Sequence, residues 1–171
     1  MSISYKEKMK SIKAFVFDID GVMTDGTLLL LQNEQVRTMN IKDGYAIHEA
    51  IKAGYHIMVI SGGAPSQGVR ERLNYLNIKE IHLGVENKTI ILNELISKYK
   101  LGSAEIAYMG DDIPDLKSMA QCGLKACPAD AVQEIKSMAD FISVHAGGKG
   151  CVRDLIEQVM RSQQKWPTQN N

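Results

Sequence analysis

Short apolar runs alternate with helical patterns along this chain, and that alternation constrains its fold more than any other feature. Runs typical of buried strands cover residues 13–19, 55–60, 80–83 and 106–109, and two more, 124–127 and 141–144, are typical of edge strands. The spacing of apolar residues predicts helices over 43–53, 65–76, 87–99 and 112–121, and a last helix after Gly150. This order predicts an α/β fold with a doubly wound, mainly parallel sheet.

One segment departs from the alternation. Residues 27–41 (TLLLLQNEQVRTMNI) contain two strand-like runs around 32–34, which predicts a β-hairpin; we call it the flap. It begins with four consecutive leucines, residues 28–31. Strand alternation would send two leucines to each face, so a monomer would bury one pair and leave the other in water. We therefore expect a homo-oligomer in which a partner surface covers the second pair.

Length, charge and cysteine usage exclude several classes of protein. The 171 residues predict one domain, and equal counts of 20 basic and 20 acidic residues argue against dedicated nucleic-acid binding. No apolar run approaches the about 18 residues of a membrane span, and no signal peptide is evident, so we expect a cytoplasmic protein outside the membrane. Cys122, Cys127 and Cys151 form no CxxC pair and are expected to be free, buried thiols. The polar end, 162–171, is expected to be frayed.

Acidic residues follow two of the predicted strands. The first ends in Asp18-Ile19-Asp20-Gly21, and the fourth is followed by Gly110-Asp111-Asp112 and then Asp115. Ligands of open α/β sheets bind at the carboxyl ends of strands, and a period of two points Asp18 and Asp20 to the same side. Carboxylates held close together repel one another, and a hard cation such as Mg²⁺ relieves that repulsion. Two acidic surface turns are the alternative.

Two other strand ends carry groups of the opposite kind. Ser61-Gly62-Gly63 offers a hydroxyl and exposed backbone N–H groups, and Lys88 stands in the first turn of a predicted helix. The helix dipole disfavours a cation there, so an anion held by the lysine explains it better than a solvated lysine, the alternative. A carboxylate nucleophile, a second acid, a hydroxyl, an ammonium and a metal-binding acid together indicate phosphoryl transfer.

These motifs, in this order, make the sequence similar to the haloacid dehalogenase (HAD) superfamily of phosphatases. Its four motifs match DIDG at 18–21, Ser61-Gly62, Lys88 and GDDIPD at 110–115. DIDGVMTDG, NIKDGY, GVENK and AGGKGCVRD resemble the capless branch that contains the 3-deoxy-D-manno-octulosonate 8-phosphate phosphatases, over about residues 12–160. The resemblance implies a Rossmann-like HAD fold with no cap domain, a homotetramer in which the flap packs between subunits, and a C-terminal tail at about 145–171.

The resemblance also implies a role for each motif residue. Asp18 would attack phosphorus and become a phosphoaspartate, while Asp20 would protonate the leaving oxygen and then activate water. Mg²⁺ would be held by Asp18, the Asp20 carbonyl oxygen and Asp111. The phosphoryl oxygens would be held by Ser61 and Lys88, beside Gly62. Supporting acids would be Asp112 and Asp115, of which Asp115 could orient Lys88 or a water.

A phosphorylated 2-keto-3-deoxy sugar acid, the octulosonate 8-phosphate, is the substrate that the resemblance implies. The residues that would line its site are Asn40, Ile41, Lys42, Asp43, Gly44 and His48, with Arg72 of a neighbouring subunit reaching the carboxylate. A surface histidine and an exposed helix arginine are the alternatives for His48 and Arg72. Gly63 stands where eight-carbon enzymes commonly carry arginine and nine-carbon enzymes glutamate, and one extra residue precedes Arg72.

Three rival functions therefore stay open. One is a nine-carbon sugar-acid 9-phosphate phosphatase. The second is a phospho-acceptor module without enzyme activity, against which the second acid, Asp20, argues. The third is a catalytically idle lid or interaction protein, against which the intact motifs argue. The glycine-rich residues 147–150 are not a P-loop, because GxxxxGK[ST] is absent. They resemble a mobile segment that closes over a site, with a plain loop before the last helix as the alternative.

Overall fold

A six-stranded parallel sheet forms the centre of the computed structural model, which describes residues 4–32 and 35–167. The strands are β1 Ala14–Phe17, β2 Leu29–Leu30, β3 Gln35–Val36, β4 His56–Ser61, β5 Glu80–Leu83, β6 Ile106–Met109, β7 Leu124–Cys127 and β8 Phe141–Ile142. Across the sheet the order is β5-β4-β1-β6-β7-β8, and each neighbouring pair is parallel. The predicted parallel α/β sheet is confirmed. The prediction that β7 is an edge strand was wrong, because β7 pairs with both β6 and β8.

Helices cover both faces of this sheet. They are α1 Tyr5–Met9, α2 Ile41–Lys52, α3 Gln67–Tyr75, α4 Lys88–Tyr99, α5 Leu116–Met119, α6 Gln133–Met138 and α7 Cys151–Ser162. Along β1, Phe15 and Phe17 belong to the core layer that includes α2 and α7, whereas Ala14 and Val16 pack in the layer that includes α4. This alternation confirms the doubly wound arrangement. Helices α1 and α6 were not predicted, because elements of 5 and 6 residues carry too little periodicity.

Asparagine caps determine where the two helices nearest the strand ends begin. The Asn40 side chain accepts a hydrogen bond from the Lys42 backbone N–H at 2.9 Å, which starts α2 two residues before the predicted start. The Asn87 side chain accepts one from the Thr89 backbone N–H at 3.1 Å. The second cap places Lys88 at the first position of α4, close to the position expected from the sequence.

Two predicted helices are shorter than expected. The helix predicted from Pro65 begins only with α3, because Ser66 is extended with φ −126° and ψ 133°. The helix predicted over 112–121 starts as a 3₁₀ turn, Ile113–Asp115, before α5. In that turn the Asp115 N–H donates to the carbonyl of Asp112 at 2.9 Å, three residues back, which is the tighter 3₁₀ spacing.

The flap contains a short antiparallel pair, as predicted, with Leu29 opposite Val36 and Leu30 opposite Gln35. Residues 33–34, at the centre of the predicted turn, lie outside the described residues. The expectation that a monomer buries one pair of leucines was wrong. Residues 28, 29, 30 and 31 are 39%, 59%, 69% and 53% exposed, because the hairpin forms a separate small sheet.

The chain stays packed beyond α7, up to Trp166. The Gln163 amide donates to the carbonyl oxygens of Met9 at 2.9 Å and Ile12 at 2.8 Å. Trp166 is buried and meets the Tyr45 ring edge-on, with the centroids 6.2 Å apart. The expectation of a frayed end was therefore wrong for residues 162–166, and residues 168–171 lie outside the described residues.

The glycine-rich residues before α7 lie against the turn that follows β1. The Gly148 N–H donates to the Val22 carbonyl at 2.9 Å, and the Gly147 N–H donates to Asp130 Oδ1 at 2.9 Å. A Cβ at Gly147 would overlap the carbonyl oxygen of Gly21. These contacts favour a fixed supporting loop over a segment that closes on the site.

The three cysteines are buried and free, which confirms that prediction. In residues 4–32 and 35–167, no helix combines the length and the apolar composition that crossing a bilayer requires.

Substituting Gly147 tests the support under the β1 turn. We expect Gly147→Ala to lower the free energy of unfolding by about 1–3 kcal/mol, because the added methyl group has no room. Gly68→Ala is the matched control: Gly68 lies in α3, a Cβ built there would meet nothing within 4 Å beyond its own helix backbone, and alanine favours helix by about 1 kcal/mol. Urea denaturation of both variants measures the difference. Equal stability of the two variants would contradict this packing.

Candidate active site

The register of the sheet brings the two acidic turns together. Phe17 at the end of β1 is aligned with Met109 at the end of β6, and the Asp18 N–H donates to the Met109 carbonyl at 3.2 Å. The residues after both strands therefore leave the sheet side by side. Asp18, Asp111 and Asp115 each offer a carboxylate oxygen, and these oxygens lie within 4.8 Å of one another.

Two glycines make this close approach of acids sterically feasible. Gly21 has φ +86°, and a Cβ there would overlap the Asp111 carboxylate. A Cβ at Gly110 would lie 2.5 Å from both Cβ and Cγ of Asp115. Any larger residue at either position would push the carboxylates apart.

Lys88 is the cation at the centre of the acids. Its Nζ is 2.8 Å from Asp18 Oδ2 and 2.8 Å from Asp115 Oδ1, and its side chain is 6% exposed. Burial alone would lower the pKa of the ammonium, but the charges of Asp18 and Asp115 outweigh burial and hold that pKa above its ordinary value. Lys88 therefore stays charged. The sequence led us to expect an anion beside it, and in this structure two carboxylates of the protein itself take that place.

Asp115 accepts hydrogen bonds from three donors, of which Lys88 is one. Its Oδ1 also accepts a hydrogen bond from the Tyr108 hydroxyl at 2.8 Å, and its Oδ2 accepts one from the Asp111 N–H at 3.3 Å. These contacts fit the supporting role expected for Asp115, which orients Lys88. Tyr108 was missed from sequence, because it stands in an apolar strand where an aromatic residue is ordinary core. Burial, then the charge of Asp115, raises the pKa of Tyr108 well above its usual value.

Asp18 and Asp111 are carboxylates whose ionised form is disfavoured by their surroundings. Burial, reinforced by the charge of Asp115, raises the pKa of Asp18 to about 6 although Lys88 opposes the change. Burial and the charges of Asp18, Asp115 and Asp112 raise the pKa of Asp111 to about 7. Within the described residues, Asp111 Oδ1 is buried and has no hydrogen-bond partner. A buried oxygen without a donor, beside a second carboxylate of this kind, fits a hard divalent cation.

The other carboxylate of the β1 turn, Asp20, is paired differently. Arg37 of the flap donates from Nε to Asp20 Oδ1 at 2.7 Å and from Nη2 to Asp20 Oδ2 at 3.2 Å. Ser61, the last residue of β4, is 2% exposed and accepts a hydrogen bond from the Gly63 N–H at 3.3 Å. Asp20, Arg37, Ser61 and Gly63 line one small cavity, so the structure brings Asp20 and Ser61 together as expected.

Arg37 is the site residue that sequence reasoning missed most plainly. It lies in the flap, and its contact with Asp20 joins residues 17 positions apart. Arg37 is the one basic residue among residues 27–41, and that was the available signal. Beside it, an open cleft of about 750 Å³ lies between the flap and the loop before α3, lined by Leu30, Leu31, Gln32, Gln35, Arg37, Ala64, Pro65, Ser66 and Gln67.

The expected substrate residues on α2 and α3 lie apart from the carboxylates. Asn40 caps α2, Ile41 is 79% exposed, and Lys42 and His48 are also exposed. Arg72 stacks over Tyr75 with 5.6 Å between Cζ and the ring centroid, and its Nη2 lies 2.6 Å from a Cβ built on Gly44. Within residues 4–32 and 35–167, no hydrogen bond or ion pair joins this group to the carboxylate cluster. Asp112 is exposed and accepts from the Ile113 N–H at 2.7 Å.

Asp43, one of the expected substrate residues, contacts α7, and its expected contact with substrate stays a prediction. It is 2% exposed and accepts a hydrogen bond from the Arg153 N–H at 2.8 Å, in the first turn of α7. A helix N-terminus attracts a carboxylate, so Asp43 ties α2 to α7. Burial raises its pKa to about 6.

The comparisons with known proteins agree with this geometry. No protein-family model matches the chain. The 3-deoxy-D-manno-octulosonate 8-phosphate phosphatase KdsC of Escherichia coli is 31% identical over 166 residues, which are 96% of this chain and 88% of that protein. The chain belongs to the family of 3-deoxy-D-manno-octulosonate 8-phosphate phosphatases. The predicted family is thus confirmed.

Solved structures in and around this family share the fold. A structure from Legionella pneumophila, assigned to subfamily III A of the HAD superfamily hydrolases, matches with a TM-score of 0.91 and 31% identity, covering 94% of this chain and 88% of that one. The Moraxella catarrhalis phosphatase of the same family, solved in complex with magnesium, phosphate and KDO, matches with a TM-score of 0.90 and 28% identity, covering 94% and 92%. The predicted HAD-type fold is confirmed.

Removing the charge of Asp111 tests how much the ionised carboxylate cluster destabilises the metal-free protein. The folded-state pKa of Asp111 is about 7 against an ordinary 3.8, so the metal-free protein loses stability as pH rises from about 4 through 7. At pH 8 we expect Asp111→Asn to raise the melting temperature of the metal-free protein by a few degrees and to abolish any further rise on adding Mg²⁺. Differential scanning calorimetry measures both effects. Glu134→Gln, at an exposed position on α6, is the matched control. An Asp111→Asn protein that Mg²⁺ still stabilises as it does the wild type would contradict this prediction.

Proposed function

We propose that the chain is a Mg²⁺-dependent phosphatase that hydrolyses 3-deoxy-D-manno-octulosonate 8-phosphate to the free sugar acid and phosphate. The observation that carries the proposal is the buried Asp18 carboxylate, paired with Lys88 and adjacent to the unpartnered Oδ1 of Asp111. The same reaction is named for relatives that match nearly the whole chain.

Asp18 is the nucleophile in this proposal. One of its oxygens accepts a hydrogen bond from the Ile19 N–H at 2.7 Å, and the other is paired with Lys88, so the carboxylate is fixed in orientation before substrate binds. Attack on phosphorus forms an acyl phosphate on Asp18 and breaks the bond to the sugar oxygen. Lys88, already charged and held by Asp115, then stabilises the phosphoryl oxygens together with Ser61 and the N–H groups of the loop that follows it.

Asp20 moves the protons. It donates one to the leaving sugar oxygen and then, as a carboxylate, accepts one from the water that attacks the phosphoaspartate. The second step releases phosphate and returns Asp18 to its starting state. This role is supported by the small cavity that the Asp20 side chain lines together with Ser61 and Arg37.

The carboxylate cluster fits Mg²⁺. Asp18 and Asp111 would hold it with the Asp20 carbonyl oxygen, because Asp115 is already engaged by Lys88, Tyr108 and a backbone N–H. When bound, the cation supplies positive charge that favours the ionised carboxylates and a phosphoryl group beside them.

The sugar acid would occupy the cleft between the flap and the loop before α3. Asn40, Lys42, Gly44, His48 and Arg72 are proposed to contact it from α2 and α3, partly across a subunit boundary. Gly63 has no side chain that would distinguish an eight-carbon from a nine-carbon sugar acid. The nine-carbon acid 9-phosphate is therefore the competing substrate. Three buried free thiols also support a reducing, cytoplasmic location.

Turnover of the two sugar-acid phosphates by the purified protein tests the function. We expect the octulosonate 8-phosphate to be hydrolysed with the higher kcat/KM, and Asp18→Asn to retain under about 1% of that turnover, because an amide is not a nucleophile. Glu94→Gln, at an exposed carboxylate on α4, should keep full activity. A higher kcat/KM for the nine-carbon phosphate would overturn the substrate. One phosphate bound per chain without turnover would indicate a phospho-acceptor module instead.

The exposed leucines of the flap support a homotetramer with shared active sites. Leu29, Leu30 and Leu31 are each more than half exposed, which leaves roughly 1.5–3 kcal/mol of burial energy per leucine unused in a monomer. Ile41 at 79% and Tyr75 at 77% exposure add apolar surface near Arg72. A partner subunit would cover these side chains and carry its own Arg72 toward the neighbouring site.

Charge on the flap tests the assembly. We expect Leu30→Lys to dissociate the tetramer into smaller species and to lower kcat/KM for the sugar-acid phosphate, because a buried lysine without a partner is costly. Ile90→Lys, at a 54% exposed position on α4, is the matched control and should leave both unchanged. Sedimentation velocity combined with kinetics gives the answer. A fully active wild-type monomer at micromolar concentration would contradict the shared site.

A further inference from the structure

Arg37 connects the flap to the side chain that handles protons. Its Nε and Nη2 form a fork on the two oxygens of Asp20, at 2.7 and 3.2 Å. The Arg37 side chain is 3% exposed, whereas the Asp20 side chain is 30% exposed. A buried guanidinium in a fixed geometry holds a carboxylate in one orientation, which a flexible surface pair does not.

The third nitrogen of this guanidinium is unsatisfied. Arg37 Nη1 is buried and, among the described residues, has no hydrogen-bond partner. Leaving a charged donor unpaired costs more than an ordinary hydrogen bond contributes, so such a group indicates a ligand that supplies the missing acceptor. Asp20 does not supply it, because the fork places Nε and Nη2, and not Nη1, against its two oxygens.

Gly63 creates the space for the fork. A Cβ built there would overlap Asp20 Oδ2 and would lie 3.4 Å from Arg37 Nη2 and 3.5 Å from Ser61 Oγ. Any side chain at position 63 would therefore compete with the arginine that the flap delivers. Gly63 and Arg37 are two parts of one arrangement around Asp20.

The position of Arg37 limits which acceptor can meet Nη1. Arg37 lines both the small cavity that holds Asp20 and Ser61 and the open cleft beyond it, so it stands where the two spaces join. A phosphate ester with its phosphorus at Asp18 and its bridging oxygen at Asp20 extends from the first space into the second. The atoms that pass Arg37 belong to the leaving group.

We propose that Arg37 is a specificity-determining residue that donates from Nη1 to an oxygen of the leaving sugar acid while its fork orients Asp20. The inference rests on the proposed function, since it takes Asp20 as the group beside the bridging oxygen. The ligand class is a polyhydroxylated acid, whose hydroxyl oxygens supply the acceptor that the protein lacks.

Competitive inhibition by the two products separates leaving-group recognition from other roles. The free sugar acid and inorganic phosphate are each titrated against turnover of p-nitrophenyl phosphate by wild type and Arg37→Gln. We expect Arg37→Gln to raise the inhibition constant of the sugar acid about 10- to 100-fold, which is the range for loss of a hydrogen bond to a charged group. The inhibition constant of phosphate should change less than about twofold. Arg70→Gln, at an exposed position on α3, should change neither constant.

Two outcomes overturn the inference. An inhibition constant for the sugar acid that stays unchanged in Arg37→Gln means that Arg37 orients Asp20 without touching the leaving group. Equal weakening of both products means that Arg37 holds the phosphoryl group or the fold. If the wild type hydrolyses no phosphate ester, the proposed function fails, and calorimetric titration of the free sugar acid into both proteins decides on Arg37 separately.

Gly63→Ala gives a second variant that keeps the arginine. We expect Gly63→Ala to weaken binding of the sugar acid, as Arg37→Gln does, because the added methyl group displaces the fork. In an Arg37→Gln background the same change should have a smaller effect, since the fork is already lost. Gly68→Ala is the control. Wild-type affinity for the sugar acid in Gly63→Ala would contradict the arrangement.

Discussion

Lys88 lies between Asp18 and Asp115, with its ammonium nitrogen 2.8 Å from an oxygen of each, and the rest of the site depends on this contact. Three carboxylates share one buried ammonium, so the cluster carries excess negative charge in a region of low dielectric. Removing one partner from such a group leaves a buried charge uncompensated. Burial, and after it the same excess of negative charge, raises the pKa of Asp18 to about 6 and that of Asp111 to about 7. A divalent cation would offset this excess and so allow a negatively charged phosphate ester to bind beside Asp18, which links metal binding to chemistry.

The fold supplies the constraints that hold this cluster. The parallel register of β1 and β6 sets the two acidic turns side by side, and the Asn87 cap sets Lys88 at the start of α4. Behind the β1 turn, Gly147 and Gly148 pack directly on its backbone. Asp43 adds a tie between α2 and the first turn of α7. The C-terminal helix thereby supports a turn more than a hundred residues earlier in the chain.

Much of this could be predicted from sequence, because strand ends follow a local rule. Asp18, Asp111 and Lys88 each stand after an apolar run, and parallel strands bring their carboxyl ends to one edge. The contact of Arg37 with Asp20 could not be predicted in this way, since a hairpin of two-residue strands does not show which of its side chains will reach the end of β1. Asp43 was assigned to the substrate because a motif does not show that its carboxylate caps a helix 110 positions later. The leucines of the flap were expected to alternate between faces, but alternation buries a side chain only where a second layer lies beneath it.

The identity of the phosphorylated side chain tests the central claim most directly. Protein mixed with ³²P-labelled sugar-acid phosphate and Mg²⁺ is quenched in acid within milliseconds, digested and mapped by mass spectrometry. Asp20→Asn, which slows attack of water, raises the yield of the intermediate. The arrangement around Lys88 predicts an acyl phosphate on Asp18, in a peptide that loses its label to hydroxylamine. Label on Ser61, or on any residue other than Asp18, would contradict it.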